Sequence, residues 1–225
     1  YRKIGSLSYN KRVTIVKTLK EWYKIKYNSG YGYVNRAYIS TSSRDSKDLD
    51  GFLFVGDSFT NNIRKNINSN AKNTVIRAKG SVTAKYWINH FGQMPANSSK
   101  IKGVILQIGI NDIGERYNIS NTKTLIKKLS KKYSNKTIYV HRLFPIGTKY
   151  KFGNKYTTQK QIKSYNASIK SYCSTLKNVK YIDATSGFIN SNGYLKYQDP
   201  EGLHISWQYL GKYYNNIEAA VNRVR

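Results

Sequence analysis

Phe52-Leu53-Phe54-Val55-Gly56-Asp57-Ser58-Phe59 is the stretch on which the reading of the fold turns. Four large apolar residues in succession fit a strand buried on both faces, as in a central parallel sheet, better than a half-exposed one. Gly56 permits a tight turn, and from Asn61-Asn62-Ile63-Arg64 the chain continues at helical spacing. Strand, turn and helix in that order put the Ser58 hydroxyl at the carboxyl end of a sheet, beside helix-start N–H groups. Open α/β sheets bind ligands along that edge, and a helix start favours developing negative charge. Gly, Asp and Ser are also ordinary turn residues. The motif therefore needs partners elsewhere.

Downstream the strand-then-helix pattern repeats. Thr74–Ala78, Gly103–Ile108, Thr137–Val140 and Val179–Ile182 read as four more strands, the first two closed by Gly80 and Gly109. Leu125, Ile126, Leu129 and Tyr133 share one helical face, as do Ile162, Tyr165, Ile169 and Tyr172. In the last helix Trp207, Leu210, Tyr214, Ile217, Val221 and Val224 step by three and four. Five strands with intervening helices imply a three-layer α/β/α sandwich around a five-stranded parallel sheet, joined by right-handed crossovers.

Residues 1–40 differ. Val13-Thr14-Ile15-Val16, Trp22–Tyr27, Gly32-Tyr33-Val34 and Ala37-Tyr38-Ile39 read as short antiparallel strands with Asn28-Ser29-Gly30 as a turn. Ile4-Gly5-Ser6-Leu7, Trp22-Tyr23-Lys24-Ile25 and Gly32-Tyr33-Val34-Asn35 resemble a partial bacterial SH3-type domain, whose usual first strand would lie upstream. Such modules target walls or peptides, so the resemblance implies an extracellular or cell-wall-associated bacterial protein. A β-extension of the main domain is the plainer alternative. Residues 41–50 are polar and aperiodic, a linker, which leaves 51–225 as the main domain.

The 225 residues carry 39 Lys and Arg against 11 Asp and Glu, a net charge of +28. That balance suits any polyanion, an anionic cell wall or membrane surface as much as nucleic acid. The lysines are scattered along the chain, which argues against a nucleic-acid-binding arm. No stretch reaches the roughly 18 apolar residues of a membrane span. The chain opens on Tyr1 without a signal peptide, and reads as a processed or trimmed piece. Cys173, the single cysteine, excludes an internal disulfide and sits in a helical apolar pattern as a buried, inert thiol. With three scattered histidines, zinc-ligand spacing is absent. No metal or cofactor is expected.

Three further loops open on the same sheet edge as Ser58: Gly80, Gly109-Ile110-Asn111-Asp112, and Glu201-Gly202-Leu203-His204 before the last helix. Nine of the 11 acidic residues lie beyond residue 47, and Asp57, Asp112, Asp199 and Glu201 all fall at these loops. In a chain so poor in acids, such placement points to structure or chemistry. A serine hydroxyl needs a base to remove its proton, and His204 is the histidine placed for it. His90 reads as structural among aromatic residues, while His141, at the end of a strand, is a candidate lining of the pocket.

Ser58, Gly80, Asn111 and His204, embedded in Gly-Asp-Ser, Gly-x-Asn-Asp and Glu-Gly-Leu-His, resemble the SGNH hydrolases, or GDSL esterase/lipase family, across residues 51–225. The resemblance implies a flavodoxin-like SGNH fold, with Ser58 as nucleophile and His204 as base. It implies an oxyanion hole from the backbone N–H groups of Ser58 and Gly80 and the Asn111 amide. Asp57 and Asp112 are expected to hold loops as hydrogen-bond acceptors. The family usually has Asp three residues before the histidine; here Glu201 stands there, and Asp199 stands five before. A glutamate can orient an imidazole, and Glu201 is the preferred expectation, with Asp199 as the substitute.

The reading that results is a serine esterase removing O-acetyl or other short acyl groups from carbohydrate. Beside an SH3-type module, the substrate would be peptidoglycan or another envelope glycan. A glycan O-acyltransferase with the same residues, or an inactive wall-binding protein, stays open. Trp87, Tyr86, Phe144 and Tyr197 could shape a sugar-stacking wall, although core packing is the default for such aromatics.

Overall fold

A computed structural model describes residues 2–7, 13–39, 49–114, 118–152 and 157–225. The backbone divides into two compact units, Tyr1–Ser46 and Lys47–Arg225. Most of the expected linker, residues 41–48 of 41–50, lies outside the described residues.

In the first unit, β1 (Ile15–Thr18), β2 (Trp22–Tyr27) and β3 (Gly30–Asn35) form an antiparallel sheet in chain order. A two-residue turn at Asn28-Ser29 joins β2 to β3, with Tyr27 opposite Gly30 and Asn28 in the left-handed region at φ 51°, a conformation Asn tolerates. Tyr23 and Ile25 point inward, while Trp22, Tyr31 and Tyr33 face solvent. This is the period-two pattern of a one-sided sheet. Ala37-Tyr38-Ile39 is expected as a strand, but Ala37 and Tyr38 belong instead to a single helical turn at Arg36–Tyr38. The turn follows directly on β3, and Tyr38 is 64% exposed, unlike the inward residues of a strand.

The second unit is the three-layer sandwich. Its parallel strands β4 (Phe52–Gly56), β5 (Val75–Ala78), β6 (Gly103–Gln107), β7 (Ile138–His141) and β8 (Val179–Ile182) lie in the order β5-β4-β6-β7-β8. Every residue of β4 and β6 is buried, because these strands carry neighbours on both edges and helices on both faces. Each large apolar side chain so buried contributes about 1.5–3 kcal/mol, which is why the run at Phe52–Val55 commits the chain to this position. The registers Leu53↔Val75, Leu53↔Val104 and Val104↔Ile138 hold the strands level.

Among the described residues seven α-helices complete the unit: α1 (Ser58–Asn62), α2 (Arg64–Asn70), α3 (Ala84–Asn89), α4 (Ile110–Gly114), α5 (Ile119–Lys132), α6 (Gln159–Ser174) and α7 (Leu210–Val224). Neighbours α3, α5 and α6 pack side by side, and α2 packs on α7, giving two helical layers. The expected faces of α5 and α6 are inward, with Leu125, Ile126, Leu129, Ile162, Tyr165 and Ile169 all buried. Trp207 departs from expectation. It precedes α7 in a short turn and is 77% exposed, while Tyr213 takes an inward place on the helix. No described helix is long and apolar enough to cross a membrane.

Candidate active site

The strand order reverses between β4 and β6, the switch point at which open α/β sheets leave a crevice. At the end of β4, a side chain on Gly56 would strike Thr60 and the Gln107 carbonyl of β6, so only glycine lets the two strand ends lie this close. Asp57 follows, fully buried. Its backbone N–H donates to Gln107 O at 3.2 Å and its Oδ1 accepts from Phe59 N at 3.0 Å, capping α1. Ser58 is the first residue of α1. Burial pushes the Asp57 carboxyl up to about 7, against the Phe59 N–H bond and with help from the nearby charge of Asp112. Asp57 thus holds the turn.

Two loops form the opposite wall. Asn111, on α4, donates one amide hydrogen to Val82 O at 2.9 Å, and a primary amide has a second to offer. Asp112 is buried and accepts from Ala84 N with both oxygens, at 3.1 and 3.0 Å. Neighbouring residues after β6 therefore clasp the loop that follows β5. Gly80 lies in that loop with open space where a side chain would project, and Ser81 beside it is held at φ 57°. Trp87 closes the back of the site, its indole N–H donating to Gly56 O at 3.0 Å.

His204 arrives from the other side. Its Nε2 lies 2.8 Å from Ser58 Oγ, and its Nδ1 lies 3.2 Å from Asp199 Oδ2. These partners assign the neutral tautomer: Nδ1–H donates to the carboxylate and Nε2 accepts from the hydroxyl. Phe59 packs against the imidazole at 5.1 Å between ring centres.

The expectation that Glu201 orients His204 is corrected here. Asp199-Pro200-Glu201-Gly202 is a β-turn closed by Gly202 N donating to Asp199 O at 3.1 Å, with proline in its favoured second place. Asp199 stands at the start of the turn and grips the loop. Its N–H donates to His204 O at 2.8 Å and its Oδ1 accepts from Leu203 N at 3.0 Å. Glu201 stands at the exposed third place. The Pro-Glu-Gly sequence already carried this signal.

His141, expected as a candidate lining of the pocket, is also corrected. It is buried, its Nδ1–H donates to the Arg142 carbonyl, and it sits against Phe144 and Tyr213. Burial lowers it from its ordinary 6.5 to about 4, so it is a neutral core residue. His90 stacks on Tyr86 and bonds its carbonyl. Of the aromatics considered for a sugar wall, Trp87 and Phe144 are buried. Asp199, Glu201 and His204 each bring one possible ligand atom within 4.8 Å of the others, a grouping that sequence spacing did not anticipate. Both imidazole nitrogens are engaged by Ser58 and Asp199, so chelation would dismantle that chain.

A serine, an imidazole and a carboxylate linked in series at the carboxyl edge of a doubly wound sheet form the arrangement by which hydrolases activate a hydroxyl. The chain belongs to the GDSL-like lipase/acylhydrolase family, whose model matches residues 54–208. A bacterial SH3 domain model matches residues 1–40. No curated protein matches the chain. Among solved structures, a Streptococcus pneumonia protein described as a candidate platelet activating factor is 18% identical, with a TM-score of 0.66 over 78% of this chain and 86% of that one. A GDSL-like lipase from Bacteroides thetaiotaomicron is 15% identical, with a TM-score of 0.58 over 77% and 86%. A Clostridium thermocellum family 3 carbohydrate esterase is 17% identical, with a TM-score of 0.56 over 77% and 95%. At such identities the likeness establishes the fold.

Proposed function

We propose that the chain is a serine esterase that removes O-acetyl or other short acyl groups from a carbohydrate, peptidoglycan or another envelope glycan, through an acyl-serine intermediate. The observation that carries the reading is the 2.8 Å contact between Ser58 Oγ and His204 Nε2, within the reach a general base needs. His204 takes the hydroxyl proton as Ser58 Oγ attacks the ester carbonyl carbon. Asp199 fixes the tautomer and stabilises the imidazolium that forms. The carbonyl oxygen becomes an oxyanion, met by the N–H groups of Ser58 and Gly80 and the second amide hydrogen of Asn111. As the C–O bond breaks, Nε2 returns the proton to the departing alcohol. Water, deprotonated by His204, then frees Ser58 and the acid.

The glycan side of the reading draws support from the likeness to a carbohydrate esterase and from the bacterial SH3 match. The net charge of +28 would hold the protein to an anionic wall, an extracellular or wall-associated setting. The test is hydrolysis of an acetylated sugar by wild type and Ser58→Ala. A loss of about 10³-fold or more in kcat is expected when the nucleophile goes. An equal rate in the variant overturns the assignment.

A further inference from the structure

Trp207 is 77% exposed, more than any other large apolar side chain among the described residues. Its backbone is not loose. Ser206 N donates to Tyr197 O at 2.8 Å and Tyr209 N to Ser206 O at 2.9 Å, and the Tyr209 ring stacks on Tyr197 at 3.9 Å. The short turn thus tucks Tyr209 inward and holds the indole out in water. A lone exposed apolar ring is ordinary on a protein surface; this one stands out because it is held on a fixed backbone at a groove that His204 also lines.

The indole borders a groove of about 320 Å³, lined also by Asn62, Pro200, His204 and Leu210, a volume at the lower end of small-molecule sites. His204 supplies one edge, and Asn62, four residues after Ser58 on α1, supplies another. The groove therefore runs along Asp199 and His204, and Nε2 of that same imidazole lies 2.8 Å from Ser58 Oγ. The chemistry gives it a direction. In an ester held for attack by Ser58, the carbonyl oxygen turns to Gly80 and Asn111, and the alkoxy oxygen must face Nε2, which returns its proton. The rest of the alcohol then continues past His204, away from the oxyanion wall.

Resting on the esterase reading above, we propose that this groove holds the alcohol portion of the substrate and that Trp207 selects a sugar there. The apolar face of a pyranose ring lies on the indole, and the exposed Asn62 amide reaches the ring hydroxyls. Trp207 is then a specificity-determining residue, and the acyl side of the ester makes no contact with it.

The test compares methyl 6-O-acetyl-glucopyranoside, ethyl acetate and a glycerol monoacyl ester with wild type, Trp207→Ala, Trp207→Phe and Ser58→Ala. An apolar pocket contact is worth about 10–200-fold in discrimination. Trp207→Ala is expected to lower kcat/KM for the sugar ester by about tenfold or more relative to its effect on ethyl acetate, mainly through KM, and Trp207→Phe to restore most of it. In the Ser58→Ala background, the sugar ester should quench tryptophan fluorescence only where Trp207 is present. Equal losses on sugar ester and ethyl acetate, or no loss on either, overturn the platform. A selective loss on the glycerol ester also overturns it, in favour of a lipid alcohol. If wild type hydrolyses none of the esters, the esterase reading itself fails. Hydrolysis that needs Ser58 but ignores Trp207 removes the groove assignment alone.

Discussion

Ser58, Gly80 and Asn111 stand just beyond the ends of three hydrogen-bonded strands, whereas Asp199 and His204 stand far along the connection between β8 and α7. The first group is placed by backbone register. Once Leu53 pairs with Val75 and Val104, the loops that follow β4, β5 and β6 have little freedom in where they open. The second group is placed by a local turn and by bonds to the loop after β7, Gly147 N donating to Gly202 O at 2.7 Å and Lys151 N to Glu201 O at 3.2 Å. A four-residue turn, the Asp199 side chain and a bridge between Gln198 and Ile205 hold it. A site half fixed by a sheet and half by a turn should fail differently when each half is damaged.

The largest effect should come from the carboxylate that aims the base. Asp199→Asn is expected to lower kcat by up to about 10⁴-fold, since the imidazole loses its fixed tautomer. Glu201→Gln should stay within a few-fold. Steady-state kinetics on an acetyl ester separates the two, and a larger loss at Glu201 would restore the sequence-based assignment.

A stability measurement sharpens the contrast further. Gly202 lies at φ 76°, where a side chain would collide with the backbone nitrogen of Tyr150. Its carbonyl also accepts from Gly147 N at 2.7 Å. Gly202→Ala should cost about 1–2 kcal/mol for the left-handed backbone alone, and more for the collision. Activity should fall with it, because the turn that presents Asp199 is displaced. Urea unfolding read beside kcat checks this. Full activity in a stable variant would mean that the loop tolerates another turn.

The smallest effect on activity belongs to the sheet-borne half, where the change is one of stability and appears only with pH. His141 titrates at about 4 in the folded chain against an ordinary 6.5. Between those values the unfolded chain holds a proton that the folded one lacks, so this contribution is present above about pH 6.5 and lost as pH falls toward 4. Asp57 works in the opposite sense. Its folded value, about 7 against 3.8, means that stability is lost as pH rises from about 4 to about 7. His141→Phe should reduce the loss of stability between pH 6.5 and 4 by up to about 3 kcal/mol and leave the Asp57 trend exposed. Unfolding midpoints at pH 4.5, 6 and 7.5 would read it. An unchanged pH slope means that the imidazole is not held neutral.

Much of this molecule was legible in its residues. Phe52–Val55 and Gly103–Gln107 could be placed at the sheet centre because an unbroken apolar run has few other homes in a chain this polar. Ser58 and His204 could be paired because a strand–glycine–serine–helix sequence and a histidine before the last helix must share one edge in a parallel sheet. The helix faces at Leu125–Leu129 and Ile162–Ile169 followed from period alone. Trp207 misled because its spacing matched α7 one turn before the helix began.

What the sequence determined by itself was the order of strands and helices, their buried faces and the edge at which the polar motifs collect, because period and burial act over a few neighbouring residues. The choice between Asp199 and Glu201, the burial of His141 and the outward face of Trp207 belonged to the tertiary structure. Each depends on which way one side chain points in a turn or against another element. That direction is set by contacts with Gly147, Tyr150, Tyr197 and Tyr213, residues distant or unmarked in the linear chain.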